Sequence, residues 1–433
     1  MTHDPSSNAR AFAPPAERFD VVVVGAGPAG CAEAIAAARA GATTLLVDEN
    51  PVPPTHLGLD VPLRYGGRFD ASALRGERLI EAMVLADPAL AGAFDAGVDV
   101  RLGTAVWGGW IPGVALRAVP GRMLGLVAAG RSSLVGFDRL VVATGARDLV
   151  LGFDGVDLSG VVGAHGLHAL VTRYRAFAGR RVVVVGGGAL AEATVALVRE
   201  QGLELVEHLR SPDDWVPLRA EGGVDRLVVA RGDERRTIEC DTVCVAIGSV
   251  PVIDLPAVLG CALTFDDARG GHVPVLDAGG ETSVAGVRVV GDAAGTTADD
   301  RADWMRALLA TGGATPPACL CEDVSRAAFV GVHPPRYLGH GPAGQTPIGA
   351  HPDHLKRLTR AGMGACQGRR CREQLALLLE LEGNEAVPLA AYRIPIRPVP
   401  LNVLAAADEE PEALADNWHV WFDIPSMWTR PTP

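Results

Sequence analysis

Two stretches of the chain share one order of apolar and polar positions: an apolar strand, an alanine-rich helix and a second apolar strand. Residues 19–25 (FDVVVVG) form a continuous β-branched run, which is typical of a strand buried on both faces of a parallel sheet. The pattern then predicts a helix from Ala29 to Ala40, a stop at Gly41 and a strand at residues 43–48 (TTLLVD). This is a βαβ unit of about thirty residues, the length that a right-handed crossover needs.

The second stretch repeats this order at residues 180–188 (RRVVVVGGG), in a helix running to about Gln201, and at residues 203–208 (LELVEH). Each unit is followed by a strand that closes on a glycine, at residues 138–147 (DRLVVATGAR) and 241–251 (DTVCVAIGSVP). The duplication predicts an α/β fold with two nested Rossmann-like dinucleotide-binding domains.

The pattern changes beyond the second unit. Residues 287–295 (VRVVGDAAG) predict one more strand, residues 298–310 predict a short polar helix, and the Gly/Pro-rich run ATGGATPPA predicts a linker. Residues 319–383 hold paired cysteines and end in the leucine-rich helix REQLALLLELEG, which indicates a small helical C-terminal domain. The proline-rich tail holds three of the seven tryptophans, and we expect it to lie extended across a surface of this chain or of a partner.

Composition narrows the classes of function. Hydrophobic residues make up 48% of the 433 residues and charged residues 21%, so a large core can form. The net charge of -12 argues against a nucleic-acid partner, which would require clustered Lys and Arg. The first twenty residues have no apolar stretch of the length that a signal peptide needs, and nowhere do about eighteen apolar residues run together. We therefore expect a cytoplasmic enzyme without a membrane span, with a loose tail at residues 1–17.

The first glycine-rich turn has the features of a dinucleotide site. The G-x-G-x-x-G segment lies between the first strand and the first helix. Its residues that we expect to bind the nucleotide are Gly25, Gly27, Pro28, Ala29 and Gly30. Its glycines allow a tight turn, a close approach of backbone amides to a pyrophosphate, and close packing of helix on strand. Asp48 ends the next strand and would accept hydrogen bonds from the adenosine ribose. Glu49 is the alternative acceptor if that strand ends one residue later.

Two further strand ends favour a flavin as the nucleotide. Gly291 and Asp292 lie in V-V-G-D-A-A-G, where a carboxylate at a strand end can face the ribityl and pyrophosphate portion of FAD. A simple helix cap is the structural alternative for Asp292. The strand predicted at residues 138–147 closes on a glycine turn that contains Ala143, Thr144 and Gly145. Together, the two strand ends favour FAD as the bound nucleotide.

The second glycine cluster fits G-x-G-x-x-A through Gly186, Gly188 and Ala191. A nicotinamide nucleotide is the obvious ligand, but three residues compete for the place of the acidic ribose acceptor: Glu207, His208 and Arg210. Both NAD(P)H binding and a relic of fold duplication are compatible with this pattern.

Four late cysteines form two local pairs, C-x-C and C-x4-C, made by Cys319, Cys321, Cys366 and Cys371. Four thiolates in this arrangement suit a [2Fe-2S] cluster or structural zinc, and a redox host favours iron over zinc. The other four cysteines are scattered and have the pattern of core residues. No C-x-x-C lies beside a flavin position, so disulfide-reductase chemistry is not expected.

These motifs carry a family resemblance. The runs TRAGMGACQGRRC (359–371), CLCEDV (319–324) and IPIRPVPL (394–401), with the flavin motifs, resemble the FAD-containing α-type subunits of heteromeric amine dehydrogenases and oxidases. That group includes the A subunit of opine oxidase, the flavoprotein subunit of hydrogen cyanide synthase, D-hydroxyproline dehydrogenase α and, more distantly, sarcosine oxidase α. The resemblance covers residues 18 to about 405 and identifies the C-terminal domain as similar to a ferredoxin of the bacterioferritin-associated (BFD) type.

The resemblance implies an electron-handling subunit whose amine substrate is oxidised on a partner. That partner would be a D-amino-acid-oxidase-like flavoprotein β subunit. Further implied components are an FMN at the subunit interface and a small ferredoxin-like γ subunit. The implied substrate is a secondary amine or an N-substituted amino acid. A stand-alone NAD(P)H-dependent reductase and a non-enzymatic scaffold that holds zinc are the alternative hypotheses.

The predicted architecture is a two-dinucleotide-binding-domain flavoprotein with a C-terminal [2Fe-2S] domain. Its segments are the first segment of the FAD-binding domain (18–150), the NAD(P)-like Rossmann domain (151–262), the second segment of the FAD-binding domain (263–312), the [2Fe-2S] domain (313–385) and the tail (386–433). No catalytic acid or base can be assigned, since His56, His165 and His168 are candidates by residue type alone.

Overall fold

The computed structural model describes residues 15–52, 75–112, 121–149, 151–297, 300–313, 315–331, 351–383 and 386–405. His56 and the three tryptophans of the tail lie outside these residues. Among the described helices, none is long and apolar enough to cross a membrane.

The N-terminal region of the chain begins with the predicted strand, helix and strand and continues with two helices and three strands that we did not predict. Its elements are β1 (Glu17–Val24), α1 (Pro28–Arg39), β2 (Thr44–Val47), α2 (Gly76–Ala86), α3 (Pro88–Asp95), β3 (Asp99–Arg101), β4 (Ala105–Trp110), β5 (Met123–Ala128) and β6 (Arg131–Val142). Helix α1 ends in a Schellman motif, in which Gly41 (φ +88°) donates to Ala38 and Ala42 donates to Ala37. The glycine that the sequence predicts as a stop therefore ends the helix by its left-handed backbone.

The middle of the chain contains the second apolar pattern. Its elements are β7 (Ala146–Asp148), β8 (Val161–Gly163), α4 (Ala164–His168) with a π-helical turn (Ala169–Arg173), β9 (Arg181–Val185), α5 (Ala189–Glu200), β10 (Glu204–Leu209), β11 (Val216–Glu221), β12 (Arg226–Arg231), β13 (Glu234–Glu239), β14 (Thr242–Val245) and β15 (Ser249–Pro251). The segment 138–147, which we predicted as one strand, is divided between β6 and β7. Gly145 has a φ of +71° and breaks the strand there.

The remaining elements are shorter and more widely spaced. They are α6 (Asp254–Val258), β16 (Leu263–Asp266), β17 (Gly271–Pro274), β18 (Val287–Val289), α7 (Arg301–Gly312), β19 (Pro317–Cys319), β20 (Val324–Ser325), α8 (Arg326–Val330), α9 (Pro352–Thr359), α10 (Arg372–Gly383) and α11 (Leu401–Ala405). The leucine-rich helix is α10, as predicted. The helix predicted at 298–310 instead continues to Gly312, because the left-handed backbone that ends it comes only at Gly313 (φ +68°).

The first sheet has the strand order β3-β2-β1-β6-β5-β4. Strand β18 pairs with β6 in parallel, although the whole second unit lies between them in the chain. Strands β3, β2, β1, β6 and β18 are mutually parallel, so their carboxyl ends meet at one edge of the sheet. That edge is where nucleotides bind in open α/β sheets.

The second unit has a parallel sheet of its own, with the order β10-β9-β14-β8. The three-stranded antiparallel sheet β11-β12-β13 lies between β10 and β14 in the chain. Strands β7 and β15 pair antiparallel where the chain enters and leaves this unit. The second parallel sheet is thus inserted, along the chain, between strands β6 and β18 of the first. This is the architecture that the duplicated pattern predicts.

The cysteine-bearing segment shares a hydrophobic core with the second unit. One cluster of buried side chains contains Val183 and Val245 from the second parallel sheet, Trp304 from α7, Cys319 from β19 and Leu375 from α10. Burying these apolar side chains together stabilises the position of the cysteines relative to the sheet. The C-terminal segment is therefore packed onto the second dinucleotide unit.

Candidate functional site

The first glycine-rich turn has the close contacts that require glycine. Gly25 has a φ of +109°, and a Cβ atom there would lie 2.2 Å from the carbonyl oxygen of Ala143. A Cβ atom at Gly30 would lie 1.8 Å from the carbonyl oxygen of Gly25. At Gly27, by contrast, no atom lies within 4 Å of a Cβ position, so open space faces the start of α1, whose first residue is Pro28. This is the arrangement in which backbone amides and the helix N-terminus receive phosphates.

Asp48 follows β2 and lies against the same turn. Its Oδ2 accepts a hydrogen bond from the backbone N–H of Ala26 (2.7 Å). Its Oδ1 accepts two from Asn50, through the backbone N–H (2.7 Å) and through the side-chain amide (2.9 Å). The buried Tyr174 hydroxyl donates to Asn50 Oδ1 (2.7 Å). Asn50 and Tyr174 thus hold the carboxylate that the sequence predicts as the ribose acceptor.

Sequence reasoning missed Asn50 and Tyr174. Asn50 could have been suspected, since an asparagine two residues after an aspartate readily hydrogen-bonds it. Tyr174 follows the π-helical turn of the second unit, and no local pattern connects it to β2. The contact exists only because the two units pack together.

Glu49, the alternative acceptor, is engaged elsewhere. Its carboxylate pairs with the Arg397 guanidinium at 2.7 Å, and both side chains are less than one-third exposed. Arg397 belongs to the run IPIRPVPL that carries some of the family resemblance. The structure therefore ties that C-terminal run to the end of β2, next to Asp48.

The other predicted flavin residues lie at the same edge of the first sheet. Thr144 donates its hydroxyl to the carbonyl of Val252 (2.7 Å), and Gly145 follows with its left-handed backbone. The 3₁₀ turn Gly291–Ala294 follows β18, and a Cβ atom at Gly291 would lie 3.0 Å from that of Ala29. Asp292 is exposed, and its neighbour Gly291 lies next to the start of α1.

The second glycine-rich turn repeats the geometry of the first. Gly186 has a φ of +137°, and a Cβ atom there would lie 2.1 Å from the carbonyl oxygen of Ala246. No atom lies within 4 Å of a Cβ position at Gly188, which caps helix α5. His208 Nε2 lies 2.8 Å from the carbonyl oxygen of Gly186. The turn therefore has the same open space at its helix that the first turn has.

Two of the histidine candidates, His165 and His168, lie within the described residues, and their contacts are those of residues that stabilise the fold. Asp148 accepts the backbone N–H groups of His165 (2.8 Å) and Gly166 (3.1 Å), so its carboxylate caps helix α4. Burial lowers the pKa of His168, whose Nε2 lies 3.5 Å from the Thr194 hydroxyl. Neither geometry assigns a catalytic role, and the catalytic residues stay unassigned.

The four late cysteines come together as two pairs. The Cys371 thiol donates a hydrogen bond to Cys319, and this bond, although opposed by burial, lowers the pKa of Cys319 to about 6. In the same way a hydrogen bond from Cys321 lowers the pKa of Cys366. The pKa values of the donors Cys371 and Cys321 are raised, first of all because each gives its proton to the paired sulfur. Each pair therefore takes one cysteine from each of the two sequence motifs.

The backbone around the cysteines favours thiolates. Gly362, with a φ of +80°, directs its N–H to Cys319 Sγ at 3.4 Å. The N–H groups of Glu322 and Arg370 point to Cys319 and Cys366 respectively. Cys321 is exposed, whereas its three counterparts are buried. Over the described ranges, no three His, Cys, Asp or Glu side chains are grouped as they would be around one metal ion.

A buried charge network lies next to the cysteines. Arg147 of β7 pairs with Asp254 of α6 at 2.9 Å and with Glu373 of α10 at 2.7 Å. Arg372 lies 3.7 Å from Asp254 and 3.8 Å above the centre of the Tyr392 ring. Sequence reasoning missed this network, because its members come from four separate regions of the chain.

Comparison with known proteins supports the predicted resemblance. The family described as pyridine nucleotide-disulphide oxidoreductase matches residues 19–212. The A subunit of opine oxidase from Agrobacterium tumefaciens is 24% identical, over 92% of this chain and 93% of the relative. Its counterpart from Rhizobium meliloti is 27% identical, over 89% and 98%. The alpha subunit of sarcosine oxidase from Rhizobium meliloti is 28% identical, over 70% of this chain and 30% of the relative.

Among solved structures, the chain is similar to L-proline dehydrogenase from P. horikoshii. The TM-score is 0.59 at 20% identity, and the match covers 90% of this chain and 80% of the other. The predicted resemblance to α-type subunits is confirmed by these similarities. The chain is an oxidoreductase with an α/β, FAD-type dinucleotide-binding fold.

Proposed function

We propose that this chain is the FAD- and [2Fe-2S]-containing electron-transfer subunit of a multi-subunit amine or amino-acid dehydrogenase or oxidase. The substrate, a secondary amine or N-substituted amino acid, would be oxidised on a partner β subunit. The observation that carries the proposal is that the C-x-C segment meets the loop before the C-x4-C pair: the Gly362 N–H lies 3.4 Å from Cys319 Sγ, and a Cβ atom at Gly364 would lie 2.4 Å from that of Cys321. It occurs in a chain similar to the A subunit of opine oxidase over about nine-tenths of its length.

The residues at the edge of the first sheet fit FAD. The open space at Gly27 leaves room for the pyrophosphate at the start of α1, and Asp48 is held where it can accept the ribose hydroxyls. Asp292 would bind the ribityl portion from the adjacent strand end. When bound, FAD would exchange reducing equivalents in pairs, and a [2Fe-2S] cluster would carry single electrons. The protein's own contribution is to orient both groups and to neutralise their charge.

The pairing of the cysteines favours [2Fe-2S] over zinc. A structural zinc ion needs four ligands that converge on one point. A [2Fe-2S] cluster takes two thiolates at each of two irons, which suits two separate pairs. Backbone N–H groups directed at Cys319 and Cys366 would stabilise the negative charge of bound thiolates.

The partner subunits belong to the same proposal. The relatives are named as subunits of oxidases, which supports a β-type partner for this chain. The family resemblance alone supports the other proposed components, an FMN at the interface and a ferredoxin-like γ subunit. The exposed Cys321 supports exchange of electrons at a surface of the chain.

Cys371→Ser tests the cluster assignment in the full-length protein. We expect the wild type to contain iron and acid-labile sulfide in equal amounts, together with FAD, and to give a paramagnetic signal after dithionite reduction. The variant should lose iron and sulfide but keep FAD. The matched control is Cys261→Ser, because Cys261 lies in the core and its thiol donates to Thr282, which a serine hydroxyl can replace. Zinc without sulfide in the wild type would overturn the cluster assignment.

The alternative function has a separate readout. If the chain is a stand-alone reductase, adding NADH or NADPH to the isolated chain without oxygen should rapidly bleach the flavin absorbance. We expect bleaching instead from the amine substrate, and only when the chain is purified with its partner. Rapid bleaching by a nicotinamide nucleotide alone would favour the reductase.

A further inference from the structure

Arg372 is a buried arginine whose hydrogen bonds are incomplete. Its side chain is 5% exposed, and its Nη2 donates to the carbonyl of Gln367 at 3.1 Å. No acceptor for its Nε or its Nη1 lies within the described part of the chain. The Asp254 carboxylate is 3.7 Å from Nη1, which is beyond hydrogen-bond distance. The described residues therefore satisfy the donors and the charge of this guanidinium only in part.

The neighbouring Arg147 shows that the nearby carboxylates are already engaged. Arg147 is equally buried, but it donates to Asp254 Oδ2 at 2.9 Å and to Glu373 Oε1 at 2.7 Å. Arg372 has only the more distant interaction with the other oxygen of Asp254. A buried charge that is poorly paired is costly, so we expect a further negative group beside Arg372 in the working protein.

The Arg372 guanidinium lies against the loop that carries two of the proposed cluster ligands. Arg372 directly follows Cys371 and is the first residue of α10. Gln367, which accepts its hydrogen bond, directly follows Cys366. A Cβ atom at Gly368 would lie 3.4 Å from Arg372 Nη2. The buried charge is therefore held against the residues that separate the two cysteines of the C-x4-C motif.

A positive charge at this place affects the two oxidation states of a cluster differently. A [2Fe-2S] cluster held by four thiolates is negatively charged, and reduction adds one more negative charge. Little water screens the guanidinium, because it is buried and lies 3.8 Å above the centre of the Tyr392 ring. Its attraction is stronger for the reduced cluster than for the oxidised one, so it favours reduction.

We propose that Arg372 is the buried counter-charge of the [2Fe-2S] cluster and raises its reduction potential. The inference rests on the proposed function, because it presupposes the cluster, and it adds the residue that sets how readily the cluster accepts an electron from reduced FAD. Arg372 does not bind iron in this proposal. It acts on the cluster through its charge, from the buried side of the ligand loop.

The test is a redox titration of the full-length, cluster-loaded protein, followed by the paramagnetic signal of the reduced cluster. Arg372→Met removes the charge, and we expect the equilibrium constant for cluster reduction to fall about tenfold, which is about 59 mV for one electron. Arg372→Lys keeps the charge and should change the constant by less than about threefold. The matched control is Arg360→Met, because Arg360 is 68% exposed and paired with Glu322. Solvent screening should keep its effect below about threefold.

Asp254→Asn gives a second test with the opposite sign. It removes the carboxylate that partly offsets the charge of Arg372, so the equilibrium constant for reduction should rise about tenfold. A purely structural role of these residues would not shift the constant in opposite directions in the two variants. If Arg372→Met does not fold, the rise in Asp254→Asn is the deciding result.

Two kinds of failure can be told apart. A normal content of iron and sulfide with an unchanged constant in Arg372→Met, or a constant that is unchanged or lowered in Asp254→Asn, would overturn this inference alone. Zinc without sulfide in the wild type would overturn the proposed cluster, and this inference with it.

Discussion

Replacing Asp254 by asparagine should strongly destabilise the protein while leaving its shape and volume almost unchanged. Asp254 accepts a hydrogen bond from Arg147 at 2.9 Å and lies 3.7 Å from Arg372. Asp254 is 7% exposed and the two arginine side chains 5%, so none of these charges is well hydrated. The substitution removes a carboxylate from both buried guanidinium groups, and Glu373 remains as a partner of Arg147.

The magnitude follows from the charge that remains unpaired. Breaking a buried ion pair by removing one partner typically costs about 3–5 kcal/mol. Burial alone would raise the pKa of Asp254, yet Arg147 and Arg372 lower it to about 2 from an ordinary 3.8. A shift of this size corresponds to about 2 kcal/mol of stability. We therefore expect Asp254→Asn to lower the free energy of unfolding by about 2–5 kcal/mol.

The pH dependence has a definite sign. The folded-state pKa of Asp254 is depressed, so its contribution is complete above the unfolded pKa and is lost as pH falls through the folded one. The difference in stability between wild type and Asp254→Asn should accordingly be constant at neutral pH. It should shrink as the pH is lowered from about 4 towards 2.

Urea denaturation, followed by circular dichroism, measures these free energies. The control is Asp303→Asn, which removes the same charge from an Asp–Arg pair of similar length, 2.7 Å to Arg306. That pair is more than 60% exposed on both sides, so its loss should cost less than about 0.5 kcal/mol. Equal effects of the two substitutions would refute the claim that burial gives the network its strength.

Two further predictions concern the first nucleotide turn. Tyr174→Phe removes the hydroxyl that holds Asn50 and leaves a buried acceptor unsatisfied, so it should weaken FAD binding about tenfold, as measured by flavin release on dilution. Tyr392→Phe is its control, since no hydrogen-bond partner of that buried hydroxyl lies within the described residues. Equal losses of FAD from the two variants would contradict the assigned role of Tyr174. Gly30→Ala should abolish FAD binding, because the new Cβ atom would lie 1.8 Å from a backbone oxygen. Gly383→Ala, at the open end of α10, is the control and should retain FAD. A Gly30→Ala protein with normal flavin content would show that the turn can move.

Local signals in the sequence account for the two βαβ units and for helix α10. The β-branched runs at β1 and β9 and the glycines that follow them are sufficient to place both βαβ units, because strand burial and left-handed turns depend on short stretches of chain. The same is true of α10, whose leucine pattern gave its bounds. Errors arose where a single glycine decides the end of an element, as at Gly145 and Gly313.

The candidate sites divide in the same way. The C-x-C motif and the C-x4-C motif indicated that four thiols come together. The pairing of these thiols, however, depends on how the loop before α10 folds over β19. Only the structure shows the crossed pairs. Likewise, the sequence offered Asp48 as a ribose acceptor, whereas its support by Tyr174 depends on the packing of the second unit.

The amino-acid sequence by itself determined that the chain has two dinucleotide units, a cysteine-bearing C-terminal segment and an overall resemblance to α-type oxidase subunits. Only the tertiary structure decided that Tyr174 holds Asn50 beside Asp48 and that Arg147, Asp254 and Glu373 form one buried network. The physical reason is the range of the interactions. Strand, helix and turn preferences are set by neighbours in the chain, whereas register between strands and pairing of buried charges are set by residues that packing brings together.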